Sequence, residues 1–297
     1  MTEITADESK DKAAASVSPP NRIVSLAKTV LRIGLLAYAI VIILMVTFES
    51  RLVYPGAYMD VPQRTESGVI EVHYSSSDGT PLKGYLYEAP ADESDGNRPT
   101  VLYFHGNGIT AAYESTFIAN LGRQLGANVM AAEYRGFDSL EGSPHESGVI
   151  ADAMAARDFL CDRYNIEPDT LTLYGQSLGG GCAVAVAADS GAGLLVLDRT
   201  FDRMVDVAAD RYWFIPVGLL MQNRYDSIER VQHYAGPLIQ VHGTTDRLIP
   251  IHHGRRLHDS APSQRKKLFE VAGMGHNDAM PPSARDALID QIKAWID

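Results

Sequence analysis

Leu171-Thr-Leu-Tyr-Gly-Gln-Ser177-Leu-Gly-Gly-Gly181 runs from a buried-strand pattern into Gly-x-Ser-x-Gly and on into a small-residue helix. This is the pattern of a nucleophile elbow, a strand–turn–helix unit that lifts a serine hydroxyl above the end of a sheet. Its chemistry is attack by Ser177 on an acyl carbon. The turn holds the serine in a strained backbone conformation, and strand and helix crowd each other two residues before and two after it. Glycine stands at 175 and 179 because a Cβ there would clash. The five-letter motif alone recurs by chance. Its flanks make it specific: 171–174 alternates like a strand, and 178–188 is small and apolar, as in a helix pressed on a sheet.

The rest of the chain narrows the function class. With 297 residues there is room for one large domain or two small ones. A formal charge of −11 and the lack of any Lys/Arg cluster argue against a nucleic-acid partner. Cys161 and Cys182 are the only cysteines. They offer neither zinc-ligand spacing nor a disulfide framework, and Cys182 reads as a packing residue in the helix after the serine.

Residues 1–21 are polar, end in Pro19-Pro20, and read as a disordered tail. Next, 33–48 carries no charge and has no polar face, so 22–48 is expected to be one transmembrane anchor. A signal peptide fits less well, because 46–51 offers no small-x-small cleavage site. Arg22, Lys28 and Arg32 precede the uncharged run 33–48 and Arg51 alone lies close behind. The expected orientation is therefore an N-terminus in the cytoplasm and the remaining chain outside it.

After a connector at 49–68, apolar runs alternate with helical stretches. Strands are expected at 69–74, 82–87, 100–104, 128–133, 171–174, 194–197, 237–241 and 267–271, with a hairpin turn at Asp78-Gly79. Helices are expected at 111–125, 146–164, 178–188 and 284–296. Near-continuous apolar strands separated by helices imply an α/β domain, a mostly parallel sheet covered on both faces. No repeat or linker divides 69–297, so it is expected to be one catalytic domain. Between the sixth and seventh strands, 198–236 has room for two or three short helices forming a small cap.

A serine hydroxyl needs a base, and the base needs an orienting group. Asp246 lies in Val241-His-Gly-Thr-Thr-Asp246 beyond the seventh strand. His276 lies in Val271-Ala-Gly-Met-Gly-His276 beyond the eighth. Of the nine histidines, His276 alone ends the last strand. His105 and His242 each precede a glycine at a strand end and read as loop braces. Adjacent His252 and His253 are expected to point in different directions, without a carboxylate at metal-ligand spacing, so no metal site is expected. Asp278, two residues from His276, is better placed to bond its own loop. Asp198, at the end of the sixth strand, is the rival to Asp246. Leu178, first in the elbow helix, offers an oxyanion-binding N–H.

Five ordered motifs, His105-Gly-Asn-Gly108, Glu133-Tyr-Arg-Gly136, the elbow, His242-Gly-x-x-Asp246 and Gly275-His276-Asn277-Asp278, resemble the α/β-hydrolase superfamily. With the N-terminal span and Leu52-Val-Tyr-Pro55, the chain looks like a single-pass, membrane-tethered serine hydrolase of that superfamily. The resemblance implies an eight-stranded α/β-hydrolase fold and a Ser177–His276–Asp246 triad with no cofactor. It points to the N–H of Asn107 as the second oxyanion donor. It also keeps Asp198 open, because some members place the acid after the sixth strand. Two residues depart from the family pattern, Glu133 where Asp is more frequent and Asp138 where glycine is usual. Arg135 reads as an ion-pair partner rather than a substrate clamp. The expected substrates are small-molecule, lipid or acylated esters. Phe201, Trp213, Phe214 and 219–221 are candidates for an apolar acyl site. A serine aminopeptidase or amidase would need an acidic anchor for a substrate amine, and none stands out. A non-catalytic membrane-tethered binding module is the reading from another class.

Overall fold

The computed structural model describes residues 22–62, 65–90 and 98–296. The tail expected at 1–21 lies outside them. Two compact units share the chain, one ending at Met45 and the other spanning Val46–Asp297.

Helix α1 (Arg22–Thr47) buries none of its residues. It is the one helix among the described residues long and apolar enough to cross a membrane. At 1.5 Å per residue it is about 39 Å long.

The second unit begins earlier than the apolar runs suggest. Helix α2 (Glu49–Val53) and a 3₁₀ turn (Pro55–Tyr58) occupy the first part of the stretch read as a connector, and Val53 and Tyr54 are buried in the core. The Tyr54 hydroxyl donates to Asn223 Oδ1 (2.8 Å) and lies 2.9 Å from the Tyr225 hydroxyl. Glu49 Oε1 accepts the N–H groups of Gln222 and Asn223 at 2.9 and 2.8 Å.

Strands β1 (Val69–Ser75), β2 (Pro81–Tyr87), β3 (Thr100–Phe104), β4 (Asn128–Ala132), β5 (Thr172–Gln176), β6 (Leu194–Asp198), β7 (Leu238–Gly243) and β8 (Lys266–Val271) form one sheet in the order β1-β2-β4-β3-β5-β6-β7-β8. Only the β1–β2 and β2–β4 pairs are antiparallel. All eight expected strands are present, with ends shifted by at most two residues. The expected turn is made by Gly79 at φ +84°, its N–H bonded to Ser76 O at 2.9 Å.

Alternation along the strands splits the core between the two faces. Leu102, Phe104 and Leu173 pack on one side with α4 (Glu146–Tyr164) and α5 (Leu178–Ser190). Val101, Tyr103 and Val129 pack on the other with α3 (Ser115–Leu125) and α10 (Pro282–Ile296). Every residue of α5 from Leu178 to Ala187 is buried, which is why its sequence is small and apolar. Helix α3 starts four residues later than its apolar pattern predicts. The preceding loop is held instead by Glu133, whose Oε2 accepts the N–H of Ala111 at 2.8 Å. The β6–β7 crossover carries α6 (Met204–Arg211), α7 (Val217–Leu220) and α8 (Ser227–Arg230), the small cap. Helix α9 (Ile251–Ser260) follows β7 and was not expected from the pattern of apolar residues.

Candidate active site

The elbow forms as its sequence demands. Ser177 has φ +52° and ψ −116°, a conformation costly for any residue with a side chain. Its N–H donates to Asp198 O (2.9 Å), and its own carbonyl accepts from Thr200 Oγ1 (2.7 Å), so the turn is held from both ends. A Cβ on Gly179 would overlap the Phe104 carbonyl, and one on Gly175 would overlap the Gly179 carbonyl. The close approach leaves room only for glycine.

Three side chains from separate strand ends converge on this turn. His276 Nε2 lies 3.0 Å from Ser177 Oγ, and His276 Nδ1 lies 2.7 Å from Asp246 Oδ2. A carboxylate only accepts, so Nδ1 carries a proton and the neutral ring turns a bare Nε2 toward the hydroxyl. The other oxygen of Asp246 accepts the N–H groups of Leu248 (2.9 Å) and Ile249 (2.8 Å). Burial works against the charged carboxylate. Hydrogen bonds from His242, His276 and Ile249 outweigh it and hold Asp246 well below the usual carboxylate range.

Two stretches of backbone lie beside the serine. Leu178 is the first residue of α5, where helical N–H groups have no carbonyl partner within the helix. On the other side passes the loop after β3, near enough that a Cβ on Gly106 would stand 3.6 Å from Ser177 Cβ. Asn107 in that loop is gripped twice, by the last residue of α2 and by the turn that follows it. Its Nδ2 donates to Val53 O at 2.8 Å, and its carbonyl accepts the N–H of Gly56 at 2.9 Å.

The remaining candidates are accounted for by other partners. Asp198 is clamped by its neighbour Arg199, Nε to Oδ1 at 2.8 Å and Nη2 to Oδ2 at 3.0 Å. Arg199 also donates from Nη1 to the carbonyls of His276 and Asp278, each at 2.8 Å, and so fixes the loop that carries the imidazole. Sequence reasoning missed Arg199, because nothing in its spacing separates it from a surface arginine. Asp278 Oδ2 accepts the N–H of Gly275 (2.7 Å) within its own loop.

His105 is fully buried, with Nε2 2.8 Å from Glu133 Oε1 and Nδ1 2.8 Å from Gly106 O. Burial disfavours its charge, but the Glu133 carboxylate prevails and raises its pKa above the ordinary value. His242 braces the loop after β7, with Nε2 2.8 Å from Ile249 O. Arg135 is an ion-pair residue, as expected, bonded to buried Asp152 (2.6 Å) and to Asp78 (2.8 Å). Asp138 takes φ +46°, which explains the usual glycine there; its carboxylate is held by Lys83 (2.6 Å) and Tyr85 (2.9 Å). Both cysteines are free thiols, and burial pushes the Cys182 thiol up to about 12.

In the cap, Phe201 is core, packed on Tyr225, whereas Trp213 and Leu219 are 83% and 88% exposed. The expectation that His252 and His253 point apart is not met. They open α9 with their rings tilted by 32° at 4.3 Å, and Asp210 at the end of α6 meets both.

The chain is 30% identical over 252 residues to Rv2307c, an uncharacterized protein of Mycobacterium tuberculosis, covering 84% of this chain and 87% of that one. Over 189 residues it is 30% identical to alpha/beta hydrolase domain-containing protein 17C of Xenopus tropicalis, 62% of this chain and 58% of that one. Its fold matches a Pyrococcus furiosus esterase with a TM-score of 0.65 at 16% identity, covering 80% of this chain and 97% of that one. The chain has the α/β-hydrolase fold. No family model matches it. For this fold the strand order, the elbow after β5 and the loops after β7 and β8 stand in their expected places.

Proposed function

We propose that this α/β hydrolase is a membrane-anchored serine hydrolase that cleaves carboxylic esters, acyl or lipid esters among them, through an acyl-enzyme. The observation that carries the reading is the continuous hydrogen-bonded path from Ser177 Oγ through His276 to Asp246. Along it His276 Nε2 takes the hydroxyl proton as Oγ attacks the acyl carbon. Asp246 keeps the imidazole in the correct tautomer and stabilises the imidazolium. The N–H groups of Leu178 and Asn107 receive the oxyanion. Each such donor contributes roughly 10²–10³-fold to the rate. The tetrahedral intermediate collapses as His276 returns the proton to the leaving alkoxide. Water then repeats the sequence on the acyl-enzyme.

The apolar length of α1 supports anchoring, and Arg22, Lys28 and Arg32 in its first turns, ahead of the uncharged run, support a hydrolase unit outside the cytoplasm. An anchor of this length is effectively permanent and keeps the enzyme in the membrane where lipid esters partition.

Labelling of the full chain with a fluorophosphonate probe tests the chemistry. Wild type is expected to react and Ser177→Ala not to. An unreactive wild type points to a non-catalytic module. Protease accessibility in intact and opened cells tests the orientation; a hydrolase unit protected until the inner membrane is lysed inverts it.

A further inference from the structure

Asp210, His252 and His253, none of which bonds to Ser177, His276 or Asp246, offer three ligand atoms within 4.8 Å of one another, a grouping that sequence spacing hides because Asp210 lies 42 residues from His252. We propose that these residues bind one zinc ion, which joins the cap helix α6 to α9.

The distances fit. Asp210 Oδ2 stands 3.1 Å from His252 Nε2 and 3.2 Å from His253 Nε2. In a tetrahedral site with bonds of about 2.0–2.1 Å, neighbouring ligand atoms are roughly 3.3 Å apart. The pair is therefore already spaced as two edges of such a site.

The surroundings of His253 argue in the same direction. His253 is fully buried, and its Nδ1 lies 2.7 Å from Asp202 Oδ1. Asp202 is itself buried and is held by the guanidinium of Arg256 and by the N–H of Arg203 at 2.7 Å. The guanidinium also lies 2.9 Å from His253 Nδ1, on the Asp202 side of the ring. Asp202 and Arg256 thus occupy the Nδ1 side of the ring, which leaves Nε2 as the atom that faces Asp210 Oδ2. His252 Nε2 brings a second nitrogen to the same oxygen. One divalent cation satisfies all three atoms at once. A carboxylate behind a ligating histidine, as Asp202 stands behind His253, is the arrangement that fixes the tautomer and strengthens the ligand. His252 and Asp210 are exposed, so an ion has an entry path and the fourth position opens to water.

The two helices so joined are not neighbours in sequence. Helix α6 follows β6 and belongs to the cap, and α9 begins five residues after Asp246. An ion here would brace the cap against the element that leads out of the acid's loop.

Full-length protein without a polyhistidine tag, purified in detergent and stripped with chelator, would be titrated with Zn²⁺ against a chromophoric competitor. The expected result is one zinc per chain and a tetrahedral ligand-field spectrum when Co²⁺ is substituted. Asp210→Ala and His252→Ala change exposed side chains, so the fold persists; each is expected to weaken binding by about 100-fold or more. Zinc should raise the Tm of wild type but not of these variants. His276→Ala should bind zinc as wild type does, which separates this site from the serine's base. A wild type that binds no zinc, or variants that bind it unchanged, overturns the proposal.

Discussion

Asp198 and Asp246 stand at the ends of adjacent parallel strands or just beyond them, and on chain order alone either could orient the histidine. What distinguishes them is the company each keeps. Asp198 is followed by Arg199, which takes both carboxylate oxygens in a bidentate clamp. Asp246 is followed by a turn whose N–H groups hold one oxygen and leave the other for His276. An arginine neutralises a carboxylate and occupies both of its oxygens. Backbone amides fix its position and leave its charge available to an imidazole. The role of an acid at a strand end is thus set by the next few residues rather than by the strand it follows.

The reference for testing this contrast is loss of the nucleophile or base. Ser177→Ala and His276→Ala are each expected to lower kcat by roughly 10⁶-fold, and the double variant little further, because the two act as one unit. Steady-state hydrolysis of a short-chain ester measures it. Against that floor Asp246→Asn should cost about 10⁴-fold with the fold intact, since the imidazole is then held in the wrong tautomer.

Asp198→Asn should cost far less, and Arg199→Met an intermediate ~10–100-fold, because the bonds to the carbonyls of His276 and Asp278 hold the base in place. If Asp198→Asn proves the more damaging of the two acid variants, the contrast is reversed and the orienting acid belongs to β6.

The smallest effect is on stability. The folded-state pKa of Asp246 is depressed. Its ionised form therefore stabilises the fold fully above the unfolded value of about 3.9, and that contribution is lost as pH falls below it. The stability difference between wild type and Asp246→Asn should be constant from neutral to mildly acid pH and shrink below about 4, by denaturant titration. A difference that grows on acidification would mean the carboxylate is not held in its charged form.

How much of this was legible in the sequence follows from what each element buries. Central parallel strands are covered on both faces, so β3 to β7 read as apolar runs and their order of appearance revealed the sheet. Helix α9 was hidden because it buries little besides His253, Gly254 and Leu257. Gly254, which looks like a helix breaker, lets α9 lie on β7, since a Cβ there would come within 2.5 Å of His242 Nδ1. Ser177, His276 and Asp246 were nameable because each ends a recognisable strand. Arg199 and Asp210 were not, since their partners lie 42 to 79 residues away and depend on packing rather than spacing.

The double grip of Val53 and Gly56 on Asn107 has a consequence for any shortened form of the chain. Cutting at Val69 to obtain a water-soluble enzyme would strip the β3 loop of the two bonds that steady the proposed oxyanion donor. A fall in turnover on soluble esters would then be a lesion of the catalytic pocket, easily misread as the loss of access to lipid. Cutting before Val46 keeps both bonds, so the two truncations together separate what the proposed anchor contributes from what residues 46–68 contribute.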